Sequence, residues 1–76
     1  MLDKHISTQF DAEIGAISTR VLEMGGLVES QIAQAVFALR HFDVEAARGV
    51  MLNEKRVNQM EVEIDADVTQ IIAKRQ

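Results

Sequence analysis

Residues 10–42 read FDAEIGAISTRVLEMGGLVESQIAQAVFALRHF, and the spacing of their apolar side chains decides the fold. Phe10, Ile14, Ile17, Val21, Met24, Val28, Ile32, Ala35, Leu39 and Phe42 follow one another at steps of 4, 3, 4, 3, 4, 4, 3, 4 and 3. Such steps gather side chains along one side of an α-helix, whereas a half-buried strand would alternate every second residue. Gly25-Gly26 is the one candidate break, since each glycine costs about 1 kcal/mol inside a helix. The stripe nevertheless keeps its register from Met24 to Val28. The spacing therefore predicts one continuous helix, locally weakened, with glycines that let a neighbour approach; two shorter helices are the alternative. Asp3 or Ser7 is placed to cap its start.

Working outward, His41-Phe42-Asp43 is the predicted turn. Asp43 is a good N-cap, and Glu45 falls in the following first turn, where the helix dipole favours a carboxylate. Helix formers dominate from Val44 onward, and Lys74 and Arg75 bring positive charge to the end that prefers it. The expected fold is all-α, a long antiparallel hairpin with one helix over about 4–41, a turn near 42–43 and a second helix over about 44–75. Each arm should measure roughly 50 Å at 1.5 Å per residue. Leu22, Leu27, Val36, Phe37, Val62 and Ile72 lie beside the main stripes, so the apolar band is wider than one partner helix can cover. A third helix, or a second copy of the hairpin, is expected to supply the rest. The closing Ala73-Lys74-Arg75-Gln76 adds no tail or loop chemistry, which suggests a cut end.

Composition agrees and removes several functions. Hydrophobic residues make up 47% and charged residues 26%, a balance that argues against disorder, while the absence of Pro and only 4 Gly suit long helices. No Cys is present, which rules out disulfides, a thiolate metal site and a cysteine nucleophile. The net charge of −4, with Lys and Arg scattered, disfavours nucleic-acid binding. The N-terminus has no apolar signal-like core, and the mostly apolar Ile32 to Leu39 is far too short to span a bilayer. A cytoplasmic chain is expected, meeting membranes only indirectly through partners. His5 and His41 share no acid cluster, Ser7, Ser18 and Ser30 have no base in a recognisable motif, and no glycine-rich phosphate loop occurs. Met24, Met51 and Met60 stand at helical spacing, where methionine is core filler far more often than a cofactor ligand. Nothing here supports catalysis.

The second helix holds the residues of most chemical interest. Its heptad stripe runs Ala47, Val50, Glu54, Val57, Glu61, Ile64, Val68 and Ile71, so two glutamates stand where apolar residues are expected. One turn after each comes a polar companion, Asn58 after Glu54 and Asp65 after Glu61. The four share one strip, about 16 Å long. Carboxylates near a bundle interior require protonation, basic partners or a bound cation. Lys55 and Arg56 fall on other faces, which leaves an oxygen-rich strip suited to hard or borderline cations such as Mg²⁺, Mn²⁺ or Fe. The bland reading of the same spacing is an ordinary solvated helix face.

Taken together, His5-Ile6-Ser7, Gln9-Phe10, Ala12-Glu13, Met24-Gly25-Gly26-Leu27-Val28-Glu29, Val57-Asn58, Met60-Glu61-Val62, Ile64-Asp65 and Ile71-Ile72-Ala73-Lys74-Arg75-Gln76 resemble the start of the PhoU family. The likeness runs over essentially the whole chain. It implies that these are the first two helices of a three-helix bundle, one of two similar bundles in a longer protein. It further implies a negative regulator of the phosphate regulon, not an enzyme, linking the phosphate transporter through its ATPase PstB to the sensor kinase PhoR, with a homodimer expected. Family members carry acidic motifs of the form E(D)xxxD that bind metal. Glu54 with Asn58, and Glu61 with Asp65, match two such pairs, although Asn58 is neutral where the pattern is acidic. The implied cofactor is a divalent or trivalent metal (Fe, Mn, Mg or Zn) in the full-length protein, with none required for this chain alone. Two other readings compete: a metal-binding bundle acting as a cation-dependent sensor or store, and a plain dimerising hairpin.

Overall fold

The computed structural model describes residues 2–75, with side chains from Thr8 to Arg75. α1 runs unbroken over Leu2–His41 and α2 over Val44–Arg75, so Gly25-Gly26 does not interrupt the first helix. The expected caps Asp3 and Ser7, like His5, lie outside the described side chains.

The junction follows from local chemistry. Asp43 Oδ1 accepts a hydrogen bond from the Ala46 N–H at 3.0 Å, the N-cap bond expected of an aspartate at that position. Its own N–H donates to the Ala38 carbonyl at 3.0 Å, closing the end of α1 in a Schellman arrangement. The residue between is Phe42, whose φ of 53° occupies the left-handed region where glycine is usual. Two residues thus reverse the chain, and the helices return antiparallel.

The result is a rod, 61 × 16 × 12 Å. Its radius of gyration is 17.6 Å, against about 11 Å for a compact domain of this length. Among the described residues only Ile64 is fully buried, at 7% exposure. Gly49 faces α1 with no room for a larger residue: a Cβ there would run into the side-chain amide of Gln34.

The contact line between the helices departs from the expected stripes. Phe10, Ile17, Met24, Val28 and Ala35 of α1, and Val50, Val57, Ile64 and Ile71 of α2, are at least half-buried as expected. Ile14, Val21, Ile32, Leu39 and Phe42, and on α2 Ala47, Glu54, Glu61 and Val68, are exposed. Their places against the partner helix are taken by Glu13, Arg20, Leu27, Gln31, Gln34 and Ala38 on α1, and by Ala46, Gly49, Asn53, Met60 and Asp67 on α2. The physical reason is width. Two helices touch along one narrow line, and long polar side chains at its edge can bury their stems while pairing their ends. The apolar band straddles that line, so half of it faces the partner helix and half turns aside.

Candidate functional site

The hairpin has two unlike flat sides. On one, ion pairs lace the helices together. Arg20 forks between Glu63, at 2.8 Å, and Asp67. Lys74 reaches Glu13 Oε1 at 3.0 Å. Arg75 lies 3.8 Å from the other oxygen of Glu13, too far for a hydrogen bond, and its guanidinium stacks over Phe10 at 4.9 Å from the ring centre. Glu63 and Asp67 are one turn apart on α2, which is what allows a single arginine to hold both. Sequence reasoning missed this clamp. Its only signal was a one-turn acid pair, and such pairs are common on solvated faces.

The opposite side is an open apolar groove. Near the turn it forms a hollow walled by Ala35, Leu39, Phe42, Val44, Ala47 and Val50. At the other end Phe10, Ile14, Ile17, Val68, Ile71 and Ile72 wall a second hollow. Leu39 is 77% exposed and Phe42 91%, so this apolar surface faces solvent.

Glu54 and Glu61 stand between the two hollows. Ala47, Glu54, Glu61 and Val68 are spaced seven apart, which keeps them along one edge of α2, and the two apolar ends of that series line the two hollows. The groove is therefore greasy at its ends and acidic at mid-length. The expectation that these glutamates occupy the seam between the helices is corrected: they border it and are exposed, so the hairpin alone leaves no buried charge to compensate. Gln31 Nε2 donates to Glu54 Oε2 at 2.5 Å, an interhelical bond that occupies one oxygen. Asn58, Glu61 and Asp65 are exposed and make no hydrogen bond or ion pair among the described residues.

Glu61 and Asp65 sit one turn apart with free carboxylate oxygens, chemistry that suits a hard cation. Glu54 and Asn58 are less available, one being engaged by Gln31 and the other neutral. Among the described residues, no group of three or more acidic or histidine side chains gathers closely enough to hold a metal ion. By itself the strip offers two free carboxylates, fewer ligands than a hard cation takes. Among those residues, too, no helix is long and apolar enough to cross a membrane.

Fold and groove together define a class: an all-α bundle module with one open apolar side and an acidic mid-section. Comparison with known proteins places that module. The PhoU domain model matches residues 21–76. The chain is 47% identical, over all 76 of its residues, to a phosphate-specific transport system accessory protein PhoU homolog from Burkholderia, of which it covers 32%. It is 49% identical over 75 residues to the phosphate-specific transport system accessory protein PhoU of Escherichia coli K12, covering 99% of this chain and 31% of that protein. The Serratia marcescens protein of the same name is 52% identical over 75 residues, again 99% of this chain and 31% of the relative. No solved structure matches. The chain belongs to the PhoU family, and it spans about a third of the length of the curated relatives it matches.

Proposed function

We propose that this chain serves phosphate transport as the N-terminal hairpin of a PhoU-type regulator. In this reading it is a non-enzymatic, cytoplasmic adaptor that restrains the phosphate regulon when phosphate is plentiful. It links the ATPase of the phosphate transporter, PstB, to the sensor histidine kinase, PhoR, and works as a homodimer. The observation that carries the reading is a likeness that spans nearly the whole chain, at 47% and 49% identity, to about a third of the length of proteins named as phosphate transport accessories. The open groove supports it, because a longer chain can supply the helix that completes the bundle. Deleting the parent gene should make phosphate-regulon output constitutive, read with a regulon promoter fused to a reporter in phosphate-rich medium. Output unchanged from the parent strain refutes the adaptor role.

A metal role at Glu54, Asn58, Glu61 and Asp65 is the second reading, favoured by the unpaired Glu61 and Asp65 carboxylates at the middle of the groove. A bound divalent or trivalent cation would supply positive charge to an acidic strip and tie it to ligands elsewhere in the longer protein. Elemental analysis of the full-length protein, purified without chelator, tests this. Metal above background that is lost in Glu61→Ala with Asp65→Ala supports it, and background content rejects it.

A further inference from the structure

α1 carries a second exposed face, turned away from both α2 and the groove. Helical steps lead along it from Gly15 through Thr19, Leu22 and Gly26 to Ala33 and Phe37. Leu22 is 76% exposed and Phe37 49%, so the hairpin covers neither large apolar side chain fully. The Thr19 hydroxyl donates to the Gly15 carbonyl at 3.0 Å, which satisfies this donor inside the helix. A Cβ at Gly15 or at Gly26 would meet nothing within 4 Å. The hairpin therefore has no packing need for either glycine, although each weakens the helix by about 1 kcal/mol.

The face is organised about Gly26. Gly15 lies 11 residues before it and Phe37 11 residues after it, the smallest and the largest side chains of the face at matching distances. A second α1 crossing antiparallel at Gly26 would set Phe37 of each helix into the space left by Gly15 of the other. The charges agree with this register. Asp11, 15 residues before Gly26, and Arg40, 14 residues after it, lie on the same edge of the face, so each would meet its opposite across such a pair. Neither takes part in an ion pair among the described residues of the hairpin. Glu23 and Glu29 fall on opposite edges and do not oppose each other.

We propose that this outer face of α1 is a self-complementary seam on which a second copy of the chain docks antiparallel, with Gly26 at the two-fold axis. The inference rests on the homodimer reading above and assigns it a surface. It leaves the apolar groove free, so dimerisation and completion of the bundle do not compete.

Sedimentation equilibrium of the chain at micromolar concentration tests it. The unaltered chain should be dimeric. Gly26→Leu should weaken association at least ~tenfold, by holding the helices apart, while helicity measured by circular dichroism stays level or rises. Asp11→Arg should also weaken the dimer, and Asp11→Arg combined with Arg40→Asp should restore it. Because the chain has no cysteine, Gly26→Cys should give a disulfide-linked dimer under mild oxidation, whereas Val21→Cys on the groove side should not. A monomeric unaltered chain overturns both the homodimer reading and this seam. A dimer indifferent to Gly26→Leu and to Asp11→Arg overturns the seam and leaves the homodimer reading standing.

Discussion

Phe42 carries the backbone cost of the turn. A bulky side chain at φ 53° is disfavoured against the Cβ-free alternative, and its ring is almost entirely in water, so little packing offsets the strain. Phe42→Gly should stabilise the hairpin by about 1 kcal/mol, seen as a higher urea midpoint with an unchanged m-value. An unchanged or lower midpoint would show that the ring contributes more than its exposure implies. Glu61 and Asp65 give the contrasting case. Both are exposed and unpaired, so Glu61→Ala with Asp65→Ala should alter the stability of this chain by no more than about 0.5 kcal/mol. A loss of several kcal/mol in a chelator-free thermal melt would mean that they serve the fold rather than a ligand. At this scale the sequence was informative where chemistry is local. The Asp43 cap and the reversal at 42–43 could be read directly, because a capping bond joins residues three apart.

Between the two helices, stability is concentrated at few contacts. Ile64 is the one fully buried side chain among those described, and Ile64→Ala should cost about 2–4 kcal/mol. For a hairpin with so small a core that amounts to most of its stability, so the helical signal at 25 °C should fall sharply. Retention of full helicity would place the core elsewhere. The Arg20 clamp should matter less. Glu63 and Asp67 are each more than a third exposed, and solvent screening limits what they contribute. Arg20→Met should cost no more than about 1 kcal/mol, and the difference from the unaltered chain should shrink as salt rises from 0.05 to about 0.5 M. A salt-independent loss would point to packing of the arginine stem instead. The clamp was not legible beforehand, because it joins residues more than forty positions apart and depends on how each helix is rotated toward the other.

The whole molecule exposes more surface than its mass predicts. Its accessible area is 6083 Å², against about 4,700 Å² for a compact monomer of 8.5 kDa. The surplus, about 1,400 Å², exceeds the roughly 800 Å² that each partner contributes to a standard protein–protein interface. Much of it is apolar, as Leu22, Leu39, Phe42, Met51, Leu52 and Val62 attest. Association should therefore stabilise the chain, and its thermal midpoint should rise with protein concentration. A midpoint constant over a hundredfold dilution would show that the exposed band is not used for self-association. Residue order alone dictates two helices, the place where they turn, and an apolar band that exceeds what a pair can cover. Those properties follow from spacing and capping along one chain. Packing of one helix on the other selects which half of the band faces the partner, leaves Glu54 and Glu61 bordering a groove rather than filling a seam, and lets Arg20 close the opposite side. Periodicity fixes the angles among residues on a helix but leaves free the rotation of that helix about its own axis. That rotation is chosen by the contacts the two helices make with each other.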